Sequence, residues 1–181
     1  MKKLQNDALN RLSVSEHQVA DKLPVRIILD RVRSALNVGS VFRTADAFRL
    51  EAIYCCGITA VPPHKEILKT ALGATETVKW EHHETTIDAI LRARGDGYRI
   101  IGIEQTDQSI SLPDVETTGQ PLALVFGHEV EGVHIDALKL CDEVWEIPQA
   151  GSKHSLNISV AAGIVAWEVF RQNHQILSGS K

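Results

Sequence analysis

Three short stretches place chemically capable residues beside residues that let a backbone come close. In "NVGSVFRTADAF", Asn37 stands ahead of Arg43. Asn37 is suited to cap a helix, and Gly39 and Ser40 keep the first turn small, so free N–H groups there would face an anion. Ser40, Arg43, Thr44 and Ala47 then form a polar stripe at i, i+3, i+4 and i+7. In "LALVFGHEVEG", an apolar run ends at Gly127 and leads to Glu129 and Gly132. Gly127 permits a tight turn or a close approach of backbone to ligand, and Glu129 puts a carboxylate at a strand end. In "IPQAGSKHSLNISVAAG", a loop of small residues enters a helix through Ser155, Asn157 and Ser159. Each stretch also has a plain structural reading. The first is a capped helix with an exposed arginine, the second a turn with a solvated acid, the third a helix cap supplied by Ser155 or Asn157.

Such stretches need elements to hold them. "VRIILD" (25–30), "AIYCCG" (52–57), "YRIIGIE" (98–104), "LALVFG" (122–127) and "EVWEIP" (143–148) read as strands. Helices are expected over 37–50, in a short segment after "VPPHKE", over "TTIDAILRARGDG", over 133–140 and over 155–172. The alternation predicts an α/β fold, a parallel-rich sheet with helices on both faces. In such sheets ligands bind beyond the carboxyl ends of strands, which points to the positions after Asp30, Gly57, Glu104, Gly127 and Pro148. Residues 1–23 are expected to form an N-terminal helical extension to a domain over 24–175, and "ILSGSK" a frayed tail.

The chain has 181 residues, of which 44% are hydrophobic and 23% charged, enough for one well-buried core. No apolar run reaches the roughly 18 to 20 residues that span a bilayer, and the start of the chain lacks the apolar region of a secretory signal. Cys55, Cys56 and Cys141 form no C-x-x-C pair and read as reduced thiols in a cytoplasmic protein. Net charge is −4, but residues 1–50 carry nine Lys and Arg against five acids, so this part is +4 and the remainder −8. A basic N-terminal third suits a polyanion, or simply a solvated surface. Dinucleotide, P-loop and nucleophile-elbow glycine patterns are absent. His82 and His83 are adjacent, and neighbours on a strand point to opposite faces, so no metal site is expected.

Together the three stretches resemble the signature motifs of the SpoU/TrmH branch of the SPOUT RNA methyltransferases. The first motif pairs Asn37 with Arg43; the second, G-x-E-x-x-G, is "GHEVEG"; the third, I-P-x-x-G followed by S-L-N-[IV]-[SA]-V-A-A, is "IPQAGSKHSLNISVAAG". The likeness covers about residues 25–170, and "KTALGA" and Trp80 also fall where the family has similar segments. Gln149 stands where the third motif usually has Met.

The resemblance implies methyl transfer from S-adenosylmethionine to a ribose 2′-hydroxyl of RNA, a C-terminal trefoil knot around 122–132 and 145–160, and a homodimer formed partly by the last helix. The implied cofactor contacts are main-chain groups near Gly127, Ile147 and Leu156. The implied reaction-site residues are Arg43, Asn37, Glu129, Ser155 and Asn157. Arg43 would grip a phosphate and stabilise the developing alkoxide, since a guanidinium hardly deprotonates. Asn37 and Glu129 would orient Arg43 and the ribose. Ser155 and Asn157 would hydrogen-bond the reacting region and fix the motif-three turn. With no separate RNA-binding domain in this sequence, tRNA is expected ahead of rRNA.

Overall fold

The apolar run Leu23–Asp30 forms β1, and its side chains alternate between two cores: Val25, Ile27 and Leu29 enter one, Ile28 the other. In the computed structural model, which describes residues 12–117, 119–153 and 155–178, six further strands extend from it. They are β2 (Leu50–Cys56), β3 (Lys79–His83), β4 (Arg99–Ile103), β5 (Ile110–Ser111), β6 (Leu122–Phe126) and β7 (Glu143–Glu146). The sheet order is β3-β2-β1-β6-β4-β7-β5, and every pairing is parallel. Helices α2 (Ala35–Ala47), α3 (Lys65–Ala71) and α6 (Ile158–Asn173) cover one face; α4 (Thr86–Gly95) and α5 (Ile135–Leu138) cover the other. The expected parallel α/β architecture with both faces covered is what the chain adopts. Cys55 and Cys56 fall into opposite cores, so the adjacent thiols face apart.

Several elements differ from the sequence expectation, each for a physical reason. The first motif helix begins at Ala35, and Ser34 caps it by accepting from the Asn37 N–H at 3.3 Å. Asn37 is therefore inside the first turn and its side chain is free for other work. Gly39 and Ser40 lie past that turn, and Gly39 packs tightly against α3. The helix expected over 133–140 shortens to Ile135–Leu138: Val133 and His134 stay ahead of it, with His134 the cap at ψ 137°, and are held there by bonds from their N–H groups to Glu104 at 3.0 Å and Asp30 at 2.7 Å. β3 and β5 were not legible; "KWEHH" is a polar edge strand and β5 has two residues. At the N-terminus, α1 (Val14–Val19) carries a Ser13–Glu16 capping box and buries His17 against Asp46. The rest of the expected extension, residues 1–11, lies outside the described residues, as do the last residues of "ILSGSK", whose start is a 3-10 turn over His174–Ser178. No helix among the described residues is long and apolar enough to cross a membrane.

A Cβ at residue 39 would lie 2.1 Å from Thr70 Oγ1 and 2.3 Å from the Ile67 carbonyl oxygen. Gly39→Ala should therefore push α3 off α2 and destabilise the protein by about 1–3 kcal/mol. Urea denaturation checks this; an unchanged midpoint would mean the two helices do not need their close contact.

Candidate active site

β6, β4 and β7 are neighbours and parallel, so their carboxyl ends open on one edge of the sheet. The segments leaving them enclose a cavity of about 560 Å³. Gly127, Ile147 and Leu156, the three expected cofactor contacts, all line it, as do Glu129, Ser155, Asn157 and Gln149. Apolar walls come from Ile103, Phe126, Ile158 and Ala161.

The turn after β6 is a closed loop. His128 and Gly132 exchange backbone hydrogen bonds at 3.0 and 2.9 Å, and the His128 Nδ1 accepts from the Val130 and Glu131 N–H groups at 3.1 and 3.2 Å. Gly127 is needed here for the chain's own approach: a Cβ would lie 2.0 Å from Gly132 carbonyl carbon and 2.1 Å from Val133 N. The turn presents Glu129 to the start of α2. Its carboxylate accepts from the backbone N–H groups of Arg33 and Ser34, each at 3.0 Å, and from Asn37 Nδ2 at 3.2 Å. Burial works against ionisation of Glu129, but these donors outweigh it and hold its pKa below the ordinary value of 4.5.

The same Asn37 reaches the third segment. Its Oδ1 accepts from Asn157 Nδ2 at 3.2 Å. Asn157 is the cap of α6, its Oδ1 accepting from the Ser159 N–H at 2.9 Å and the Ser159 hydroxyl at 2.6 Å. Of the two cap candidates in the sequence, Asn157 caps, and Ser155 is left on the cavity wall. Asn37, Glu129 and Asn157 thus form one hydrogen-bonded joint across three segments.

Arg43 is not part of that joint. It is exposed and lines a different groove with Ser40, Thr44, Lys69, Thr70, Leu72 and Gly163. Six residues on a helix turning about 100° per residue separate two side chains by about 120° around the axis. Asn37 and Arg43 therefore face different ways, and in this chain Asn37 and Glu129 hold the α2 start rather than Arg43.

Two acidic residues that the motifs do not contain also belong to the site. Glu104, on the cavity wall, accepts from Val133; Asp30, almost fully buried, accepts from His134 and from the Thr86 hydroxyl at 2.5 Å. Their position at the carboxyl ends of strands was the available signal. Among the described residues no group of three His, Cys, Asp or Glu side chains is placed to hold a metal ion.

A cavity ringed by the carboxyl ends of parallel strands, walled by two glycine-bearing loops, defines a ligand-binding α/β domain of the doubly covered type. The pattern of the SpoU rRNA methylase family matches residues 24–167, and the chain belongs to that family. It is 33% identical over 150 residues to a 23S rRNA (guanosine-2′-O-)-methyltransferase of Ralstonia nicotianae, covering 82% of this chain and 59% of the relative. The AdoMet-bound rRNA methyltransferase of Sinorhizobium meliloti has the same fold, with a TM-score of 0.77 at 28% identity, covering 89% of this chain and 61% of that one. A second solved chain, described in connection with 2-OH methylation of C/U34 on tRNA, gives a TM-score of 0.73 at 25% identity and is covered over 99% of its length, with 87% of this chain. The chain spans between 59% and 65% of the length of the curated relatives it matches first.

Because the pKa of Glu129 is lower in the fold than in the unfolded chain, its ionised form adds stability at neutral pH, and that addition is lost as pH falls from about 4.5 through the folded value. Glu129→Gln should be less stable than the wild type at pH 7, with the gap closing in acid. Thermal melts across pH check this; a constant gap would place the effect elsewhere.

Proposed function

We propose that this protein is an S-adenosylmethionine-dependent RNA methyltransferase that modifies a ribose 2′-hydroxyl, acts on tRNA ahead of rRNA, and works as a homodimer. The observation that carries the reading is a cavity lined by the second and third motif segments, with the first motif tied to both through Asn37, which bonds Glu129 and Asn157. The cavity chemistry fits the cofactor. Its size is typical of a small-molecule site, on the order of 300–1,000 Å³. Ile103, Phe126, Ile147 and Leu156 offer apolar surface to an adenine. Four carboxylates, Glu104, Glu129, Glu131 and Glu146, line it, and no Lys or Arg does so among the described residues. That charge suits a sulfonium and an ammonium group and disfavours a polyphosphate. Bound there, S-adenosylmethionine supplies a methyl group on positively charged sulfur.

The chain's residues would then act as follows. The Glu129–Asn37–Asn157 joint fixes the turn after β6 against the start of α6, so the cavity is shaped before ligand arrives. Ser155 offers a hydroxyl at the cavity mouth. Arg43, with no hydrogen bond or ion pair among the described residues, is available to hold an RNA phosphate and to stabilise the 2′-oxygen as it loses its proton. Since Arg43 faces away from the cavity of its own protomer, the reading calls on a second protomer to bring it to the ribose. An apolar stripe on α6 supports that assembly: Val160, Ile164 and Trp167 are exposed at 49%, 37% and 52%. The likeness to the tRNA-related chain over nearly its whole length favours tRNA. The threading of 122–132 and 145–160 as a knot belongs to the same reading, supported by β6 lying between β1 and β4. So does a cytoplasmic setting, supported by three free thiols, each pushed up to about 12 by burial and so unreactive.

Total RNA incubated with the protein and methyl-labelled cofactor should yield a 2′-O-methylated nucleoside, and base methylation or no product would overturn the reading. Arg43→Ala should lose methyl transfer by about 100-fold or more while binding S-adenosylhomocysteine normally. Full activity in that variant would remove Arg43 from the reaction. Gly163 has nothing within 4 Å of where a Cβ would lie in the protomer. Gly163→Ala should therefore stabilise an isolated helix by about 0.5–1 kcal/mol, but weaken a dimer packed on α6; light scattering separates the two.

A further inference from the structure

Beyond adding its charge to the cavity wall, Glu104 is bonded both to β7 and to the base of the turn after β6. Its backbone N–H donates to the Trp145 carbonyl at 3.1 Å, fastening it to β7, the strand that leads into the 147–157 segment. Its side chain turns the other way. Oε1 accepts from the Gln105 N–H at 2.9 Å, and Oε2 accepts from the Val133 N–H at 3.0 Å, at the base of the turn after β6. Gly132 packs directly on this carboxylate: φ there is +68°, and a Cβ would lie 2.1 Å from Oε2. The glycine is thus required by the carboxylate as well as by its own backbone. No cationic side chain pairs with Glu104 among the described residues; its charge is spent on backbone N–H groups.

From this geometry we infer that Glu104 is a positioning residue. It clamps the base of the 128–132 turn to the end of β7, and thereby sets where Glu129 meets Asn37 and how wide the cofactor cavity stands. It acts through the turn and not by touching substrate. A charge-assisted bond to a backbone N–H is the right tool, because it fixes a loop at its stem while leaving the tip, Glu129 to Glu131, free to engage other groups. Asp30 does the same one residue further on, through the His134 N–H, so the turn is pinned at two successive amides.

Glu104→Gln keeps size and shape and removes one of the two acceptors. In this variant the Val133 amide should exchange with solvent about tenfold faster, while amides of β6 keep their protection. Binding of S-adenosylhomocysteine, measured by calorimetry, should weaken about tenfold. This second expectation rests on the proposed function; the exchange measurement does not, so a wild type that fails to bind S-adenosylhomocysteine would sink the function and leave the clamp standing. A Glu104→Gln/Glu129→Gln double variant should bind no more weakly than Glu129→Gln alone, because both changes act on one turn. Additive losses, or unchanged Val133 exchange in Glu104→Gln, would overturn the inference. Should Glu104→Gln fold poorly, Glu104→Asp keeps the charge but draws the oxygens back from Val133, and it should show the same faster exchange.

Discussion

A carboxylate at the tip of a turn meets the N-terminal end of a helix, and the site depends on that contact. Glu129 takes the N–H groups of Arg33 and Ser34, the residues just before α2, where a helix leaves donors unsatisfied and carries partial positive charge. The arrangement satisfies both sides: the helix start gains an acceptor and the acid gains donors that outweigh the cost of its burial. Asn37 extends the contact to Asn157, and through Asn157 to the first turn of α6. One chain of hydrogen bonds therefore ties together segments more than ninety residues apart in sequence.

The contact needs the turn to be held at its stem, which explains the glycines. Gly127 and Gly132 lie so close that a side chain on either would collide, the first with backbone and the second with Glu104. The G-x-E-x-x-G spacing is thus a packing requirement of the protein itself, before any ligand is considered. The cavity beside it gains its shape from the same close approach.

Much of this was legible in the sequence. The continuous apolar runs of β1, β2, β4 and β6 gave the parallel sheet, because strands buried on both faces carry little polar alternation. β3 was not legible, since "KWEHH" lies at a polar edge. The start of α5 was not legible either, since Val133 and His134 just before it are held by Glu104 and Asp30, which are distant in sequence. Asn37 was expected to cap the first motif helix, but Ser34, three residues earlier, caps it while Asn37 bridges to Glu129. The residue types of the site could be read, but their partners could not. Arg43 is the sharpest case: its spacing from Asn37 fits the motif, yet helical geometry turns it to another groove.

The central claim is that the second and third motif segments, held together by Asn37 of the first, wall one cofactor pocket. Titrating isotopically labelled protein with S-adenosylhomocysteine and following backbone amide resonances tests it directly. The account predicts shifts concentrated at residues 103–105, 127–133 and 147–158. Shifts confined to the Arg43 groove, or none at saturating ligand, would contradict it.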